Sequence, residues 1–576
     1  MFRSNELGQY VPAKSVSVKP ESQRDYKPED QFKFHLPQSL AYMDTNDSYL
    51  SFDVEVSGPG YVRPDWEAGA HSLIRRFRIM DGTGSQTLEE IEGYNALVST
   101  KNTYNSNPSI HKNRGLFEGR SANNDVDNQL YYAGPQYTFT NADKNGNTPT
   151  SLKTKICLPI QSGVLNSGKV FPLLATKGLR VEVDLENANT AFSCPKALSL
   201  NGTDSAAYRW KLQVPILGAT GADATAKQEK AAIDTEFSCT IKEPSAGGAL
   251  NGMYKQYARG GEAPFPLQVG DILHIKLADG TSSKILGVVS GLGTDYGSTD
   301  FMQIYYIPDR AISAGLAVDY PADSLVFWSW ADRELIAAGT PAYTPANIPT
   351  ENSASQAMKD ATKMVASYTI SNVEYVVSQV SPPAAYNARL LSQINSSAGL
   401  SMDFNSYTLY RNNVFNANGV SQMLIPAREQ RAYSALSLPL SQSNMGAYAS
   451  MNERSFFGIV DGAANYNYII GGKSVPDRRV NLARLSLSPA KPEALHLIEV
   501  EKGVSNCGVP VRDLRNKGSF LIARAFSKYG QIFNTAQQDL QLRVDYTAST
   551  KAKMFMNYIC HLRRLNVSAS GVNVVV

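Results

Sequence analysis

A chain of 576 residues is too long for one hydrophobic core, since cores stop growing near ~250–300 residues. Its 55 Lys and Arg balance 52 Asp and Glu to a formal net charge of +3, with the signs interspersed. That pattern excludes the concentrated basic face of a sequence-reading nucleic-acid binder. The 42 glycines, 29 prolines and 30 tyrosines favour strands joined by long loops over a helical bundle.

The first 30 or so residues are polar and punctuated by proline, and read as an extended N-terminal arm (1–30) without an apolar signal-peptide core. No apolar run approaches the ~18 residues that cross a bilayer. "QFKFHL" and "YLSFDVEVSG" follow. In the second, Leu50, Phe52, Val54 and Val56 alternate with Ser51, Asp53, Glu55 and Ser57, the signature of a strand with one buried face. "HSLIRRFRIMDG" is a further strand closed by a turn at Asp81–Gly84. Thr87 and Glu90 have the spacing of a capping box, which predicts a helix starting there with Leu88, Ile91 and Val98 on one side. Residues 101–150 are Asn-rich and lack periodicity. "LRVEVDL" then alternates Leu179, Val181, Val183 and Leu185 against Arg180, Glu182, Asp184 and Glu186.

Residues of about 195–365 change character, with Ala/Thr/Gly/Pro-rich flanks around a small β-module, and read as a large β-rich insertion. Tight turns are expected at Asp279-Gly280 and around Gly291–Gly297. After it "YTISNVEYVVSQV" forms a strand that Ser381-Pro382-Pro383 ends, because proline cannot donate to a ladder and holds its predecessor extended. "AAYNARLLSQI" (Ala384–Ile394) is a short helix with Tyr386, Leu390 and Ile394 on one side. Strands resume from residue 398, and a helix is expected between Pro492 near its start and Gly503 just past its end. Each half thus runs strands, one helix, a loop, then an alternating strand, "LRVEVDL" in the first and "LQLRVDY" (540–546) in the second. This is a repeat of architecture more than of residues.

Chemistry-bearing patterns are sparse. Cys157, Cys194, Cys239, Cys507 and Cys560 include no C-x-x-C pair and read as buried thiols of a reducing compartment. His35, His71, His111, His274, His496 and His561 are too scattered to ligate a metal; His111, in "NPSIHKNRG", is the least constrained. "DGTG" (81–84) and "GLGTDYG" (291–297) lack the Lys-Ser/Thr of a phosphate loop and read as turns. The carboxylate pairs Glu89-Glu90 and Glu182/Asp184 fall on an expected helix start and a solvent-facing strand edge, not in a cleft. Arg75, Arg76 and Arg78, and Arg563 and Arg564, read as solvated or interface arginines. Asn46, Asn201, Asn395 and Asn566 match the N-glycosylation pattern by chance if the chain is not secreted. Trp328 and Trp330 share one face of a strand in the insertion, as the core of that module or as a sugar-binding pair. No catalytic, cofactor-binding or metal-binding residue is assigned, and no enzyme activity is expected.

Two antiparallel β-domains in tandem, each with one helix and long loops, suggest two jelly rolls. "LPIQSGVLNSGKVFPLLATKGLRVEVDLENA" resembles the LP…FPL…L-x-V-x-V block of double jelly-roll major capsid proteins. "YTISNVEYVVSQVSPP" resembles the strand closing the first roll of that family, and "NYIIGGKSVPDRRVNL" and "YICHLRRLNVSASGVNVVV" resemble segments of the second. The resemblance is nearest to virophages and Polinton-like viruses, in the lineage that includes the adenovirus hexon. It spans about 30–195 and 365–576. It implies an all-β fold of two tandem eight-stranded antiparallel jelly rolls with short helices and a large β-rich insertion. The expected units are an arm (1–30), a first roll (31–383, insertion about 195–365), a connector helix (384–397) and a second roll (398–576). The implied function is a structural capsid subunit, homotrimeric in pseudo-hexagonal capsomers that tile an icosahedral virion. Its expected partners are itself, neighbouring capsomers, and penton and other minor capsid proteins. No cofactor and no direct sequence-specific nucleic-acid binding is implied, and membrane contact is left open. Assembly inside an infected host cell, without secretion, goes with that reading. Extended arms, 1–30 and the tail "VNVVV", are expected to clamp neighbouring subunits by adding a strand to a sheet edge. The rival reading is a β-sandwich carbohydrate-binding or carbohydrate-active protein using Trp328 and Trp330.

Overall fold

A computed structural model describes residues 13–57, 63–65, 67–105, 117–119, 153–168, 170–193, 367–396, 399–415, 418–442, 456, 458–482, 493–512, 520–526, 533–547, 552–568 and 571–575, and the backbone of seven strands between 212 and 329. The first unit has eight principal strands: β1 (Ala13–Val18), β2 (Gln31–Leu36), β3 (Tyr42–Ser57), β4 (Ile74–Asp81), β5 (Thr87–Glu92), β6 (Lys153–Leu158), β7 (Leu179–Leu185) and β8 (Ser367–Val380). They form two antiparallel sheets in the orders β1-β8-β3-β6 and β2-β7-β4-β5.

The second unit has eight more: β9 (Leu400–Val414), β10 (Gly419–Ile425), β11 (Ala432–Ser441), β12 (Ala463–Ile470), β13 (Lys473–Asn481), β14 (Ile522–Ala525), β15 (Leu540–Tyr546) and β16 (Lys553–Ser568). Their orders are β9-β16-β11-β14 and β10-β15-β12-β13. Adding eight to every strand number of the first unit reproduces the second. In both units consecutive strands cross between the sheets except at one central hairpin, β4-β5 in the first and β12-β13 in the second, and the last strand returns beside the first, which is jelly-roll wiring. The fold is all-β, two tandem antiparallel jelly rolls.

The helices repeat as well. α1 (Tyr94–Tyr104) lies between β5 and β6, α2 (Ala384–Ile394) joins the rolls, and α3 (Ala494–Asn506) lies between β13 and β14. The seven described strands of the insertion form one antiparallel sheet, placed in sequence between β7 and β8. Gly291 and Gly293 belong to its strand Ser283–Thr294, which carries a bulge between Val289 and Gly291. The rest of the turn expected around 291–297 lies outside the described residues. Asp279-Gly280 lies outside the described residues.

Alternation places the core. Phe32, Phe34 and Leu36 of β2 are buried while Lys33 and His35 are exposed, and Leu50, Phe52, Val54 and Val56 of β3 are buried. These side chains, with Leu179, Val181, Val183 and Leu185, fill the first sandwich. Met423, Ile425, Tyr466, Tyr468, Leu542, Val544 and Ile559 fill the second.

Two expectations are corrected. Thr87–Glu92 is strand β5, not a helix start: Glu90 pairs across the ladder with Arg76 at 3.1 Å, and the helix begins only after Gly93 at φ +59°. Gly503 lies inside α3, not past its end; a Cβ there would stand 2.7 Å from the Ala523 Cβ, so it is a contact glycine against β14. The described parts of the two expected arms pair within their own chain. β1 runs antiparallel to β8, and Gly571–Val575 folds back on Arg564–Ser568.

Candidate functional site

For a chain with this architecture the candidate site is the seam between the rolls together with the sheet edges they leave open. The seam begins at β5, which lies against β9. Glu89 of β5 is fully buried. Its carboxylate accepts from Ser162 Oγ at 2.5 Å, Gly163 N at 3.0 Å and Val164 N at 3.1 Å, fixing the loop that follows β6. That loop is pressed against the second roll. A Cβ on Gly163 would lie 1.9 Å from the Asn405 carbonyl oxygen, so only glycine fits there. Burial raises the Glu89 carboxyl above its usual range, while its three donors and the nearby Arg563 charge pull it back.

Further bonds cross the seam. Tyr558 Oη of β16 donates to the Gly93 carbonyl at 2.7 Å, and Arg512 N donates to Tyr104 O at 2.8 Å. Apolar side chains of both rolls, among them Leu88, Ile91, Leu97, Tyr407, Met556 and Tyr558, belong to one continuous buried cluster. The connector is fastened too. Tyr42 Oη donates to Asn387 Oδ1 of α2 at 2.5 Å, and Leu390 and Ile394 are buried. A polar cleft of about 280 Å³ opens at the seam, lined among others by Lys101, Ser162, Asp403, Asn405, Tyr407 and Cys507. Lys101 Nζ sits 5.3 Å from the Tyr407 ring centroid, a cation–π distance.

Of the residues singled out in the sequence, Glu89, Cys507 and Arg563 lie at the seam, and most of the others fall elsewhere. Glu182 and Asp184 are not on an edge. β7 is internal to its sheet, and both carboxylates lie under basic side chains, Lys33 at 2.9 Å from Glu182 and Arg76 at 2.7 Å from Asp184. Arg75 and Arg78 join this network at 3.7 and 3.6 Å. Arg564 grips Asp403 with two bonds of 2.7 and 2.9 Å. Arg563 is half-buried with its charge near Glu89, the interface half of its expected reading. "DGTG" is the β4–β5 turn, with Gly84 at φ +74° and Gly82 against the Lys177 carbonyl. His71 shares a hydrogen bond of 3.0 Å with Tyr94 Oη, and His496 stacks on Phe520 at 5.3 Å. No cluster of potential metal ligands occurs among the described residues. His111, Asn201, Cys194 and Trp330, and the side chains of His274, Cys239 and Trp328, lie outside what is described.

No family model and no curated protein matches the chain. The chain is similar to solved viral capsid structures. The Faustovirus major capsid protein aligns over 99% of this chain and 91% of its own, at TM-score 0.48 and 8% identity. A quasi-atomic model of the PBCV-1 virus capsid aligns over 98% and 97%, at 0.43 and 7%. The mavirus major capsid protein aligns over 100% and 93%, at 0.34 and 9%.

Sequence reasoning did not find the seam. Glu89, Gly163 and Tyr558 are separated by up to several hundred residues and follow no motif. Nor does β5 mark its buried carboxylate, since Glu89 is one of three glutamates in Thr87–Glu92. The open surfaces complete the candidate site. β1 and β6 are the ends of one sheet order, and β10 and β13 of another. On β10 Val420 and Leu424 are 58% and 52% exposed, beside Phe415 at 68%. An edge strand with apolar residues facing water is suited to a partner surface.

Proposed function

We propose that this chain is the major capsid subunit of an icosahedral virion, that three copies form a pseudo-hexagonal capsomer, and that capsomers tile the shell. One observation carries the reading: a single chain holds two jelly rolls of identical strand order, with a helix at the same place in each, joined by a continuous buried core. Two like sandwiches in a rigid pair occupy two corners of a hexagon, so three chains occupy six. The sequence blocks that resemble double jelly-roll capsid proteins fall on β7, β8, β12–β13 and β16, the elements that define each roll.

The described parts of both arms, β1 and Gly571–Val575, add strands to their own roll. Subunit contacts then fall to the loops and to edges such as β10. Contacts with penton and minor capsid proteins, and a site of assembly inside the host cell, belong to the same proposal. The test is imaging of the purified full chain by negative-stain electron microscopy. Hexagonal blocks are expected; single bilobed particles at all concentrations would overturn the proposal, and glycan binding by such particles would favour the carbohydrate-binding rival.

A further inference from the structure

Cys507 closes α3 and Cys560 lies mid-way along β16, 53 residues further on (560 minus 507). Both are buried and neither is in a disulfide. Two independent sets of contacts bring them together. On one side, Ser434 of β11 stands opposite Cys560 in the ladder. Ser434 Oγ donates to the Gly503 carbonyl at 2.7 Å, and Cys507 Sγ donates to that same carbonyl at 3.3 Å. On the other side, Tyr407 of β9 stands opposite Cys560 and donates its hydroxyl to the Cys507 carbonyl at 3.1 Å. Cys560 is thus flanked on both neighbouring strands by residues bonded to the end of α3, which places the Cys507 thiol close enough for Cys560 to act on it electrostatically.

A route from solvent exists. Cys507 and Tyr407 line the seam cleft, and Lys101, on the same wall, places its positive charge near both thiols. That charge favours thiolate, while burial of the Cys507 thiol holds it largely protonated. The pair is therefore protected in a reducing milieu and open to slow exchange in an oxidising one.

We propose that Cys507 and Cys560 are a dithiol modification site that closes to a disulfide on meeting a small-molecule disulfide of the glutathione class. Cys507 thiolate attacks one sulfur of the external disulfide and releases one thiol, leaving a mixed disulfide. Cys560 gives up its proton and attacks the Cys507 sulfur, releasing the second thiol. Two protein thiols are oxidised by two electrons, and one external disulfide is reduced to two thiols. The product staples α3 to β16, an internal strand of the sheet β9-β16-β11-β14. The site depends only on the fold of one chain and stands apart from the capsid proposal.

The experiment incubates the full chain with oxidised glutathione, unfolds it in alkylating reagent, and maps peptides by mass spectrometry. The expected result is a linked Cys507–Cys560 peptide pair, two fewer alkylated thiols per chain, and a melting temperature that rises without reductant and falls back with it. Cys560→Ser is expected to stop the reaction at a glutathione adduct on Cys507. Cys507 and Cys560 both still alkylatable after oxidation of the wild-type chain, or an adduct on Cys507 with no cross-link, would overturn the proposal. The wild-type map decides the matter even if the variant does not fold.

Discussion

Burial acts on Glu89 and His496 in opposite directions. Burial pushes the His496 imidazole down to about 4 and that of His561 down to about 3, because neither site solvates a cation. A folded value below the unfolded one, near ~6.5, means the unfolded chain binds more protons in the interval. The stability these histidines contribute is therefore present above pH ~6.5 and is lost as pH falls toward their folded values. Glu89 has the reverse sign. Its folded value is raised, so its contribution is present below the unfolded carboxyl value and fades as pH rises through the folded one. The histidines are expected to dominate mild acidification. His496→Gln should flatten the dependence of stability on pH between ~6.5 and ~4 by about one proton, or ~1.4 kcal/mol per pH unit. Urea unfolding at several pH values measures this, and an unchanged slope would refute the assignment. The sequence could identify His496 as unsuited to metal binding, but not its contacts. Tyr466 and Phe520, which enclose it, come from β12 and the approach to β14.

At the scale of elements, alternation made β2, β3, β7, β8 and β15 legible, and the proline pair with its following turn made α2 legible to its ends. α1 was not, for a physical reason. Nearly every residue of Tyr94–Tyr104 is buried, so no polar face alternates with an apolar one and periodicity has nothing to read. Capping-box spacing at Thr87 was an accident of a strand whose Glu90 serves cross-strand arginines. Gly503 misled in the same way: its small size serves the approach of α3 to β14, where a helix-stop reading saw a C-terminal glycine. Gly503→Ala should therefore destabilise the second roll by about 1–3 kcal/mol through overpacking, despite alanine's better helix propensity. Chemical denaturation checks this, and a gain in stability would show that α3 does not press on β14 as described.

For the whole molecule, the repeat of sheet orders was visible in sequence only as a similar succession of strands and helices, since pairwise identity between the halves is weak. What the sequence lacked was any sign that the rolls share a core. Leu88, Leu97, Tyr407 and Met556 are far apart in the chain yet lie in one buried cluster. Of the two expected arms, the described parts, β1 and Gly571–Val575, are already paired within the chain. Association is then expected to rest on rigid faces, and an obligate interface of that kind buries ~2,000 Å² or more. Such contacts persist on dilution, so a trimer should survive at low concentration. Size-exclusion chromatography with light scattering on the full chain tests this most directly. A stable species near three times 62.8 kDa is predicted; a clean monomer at high concentration would contradict the account.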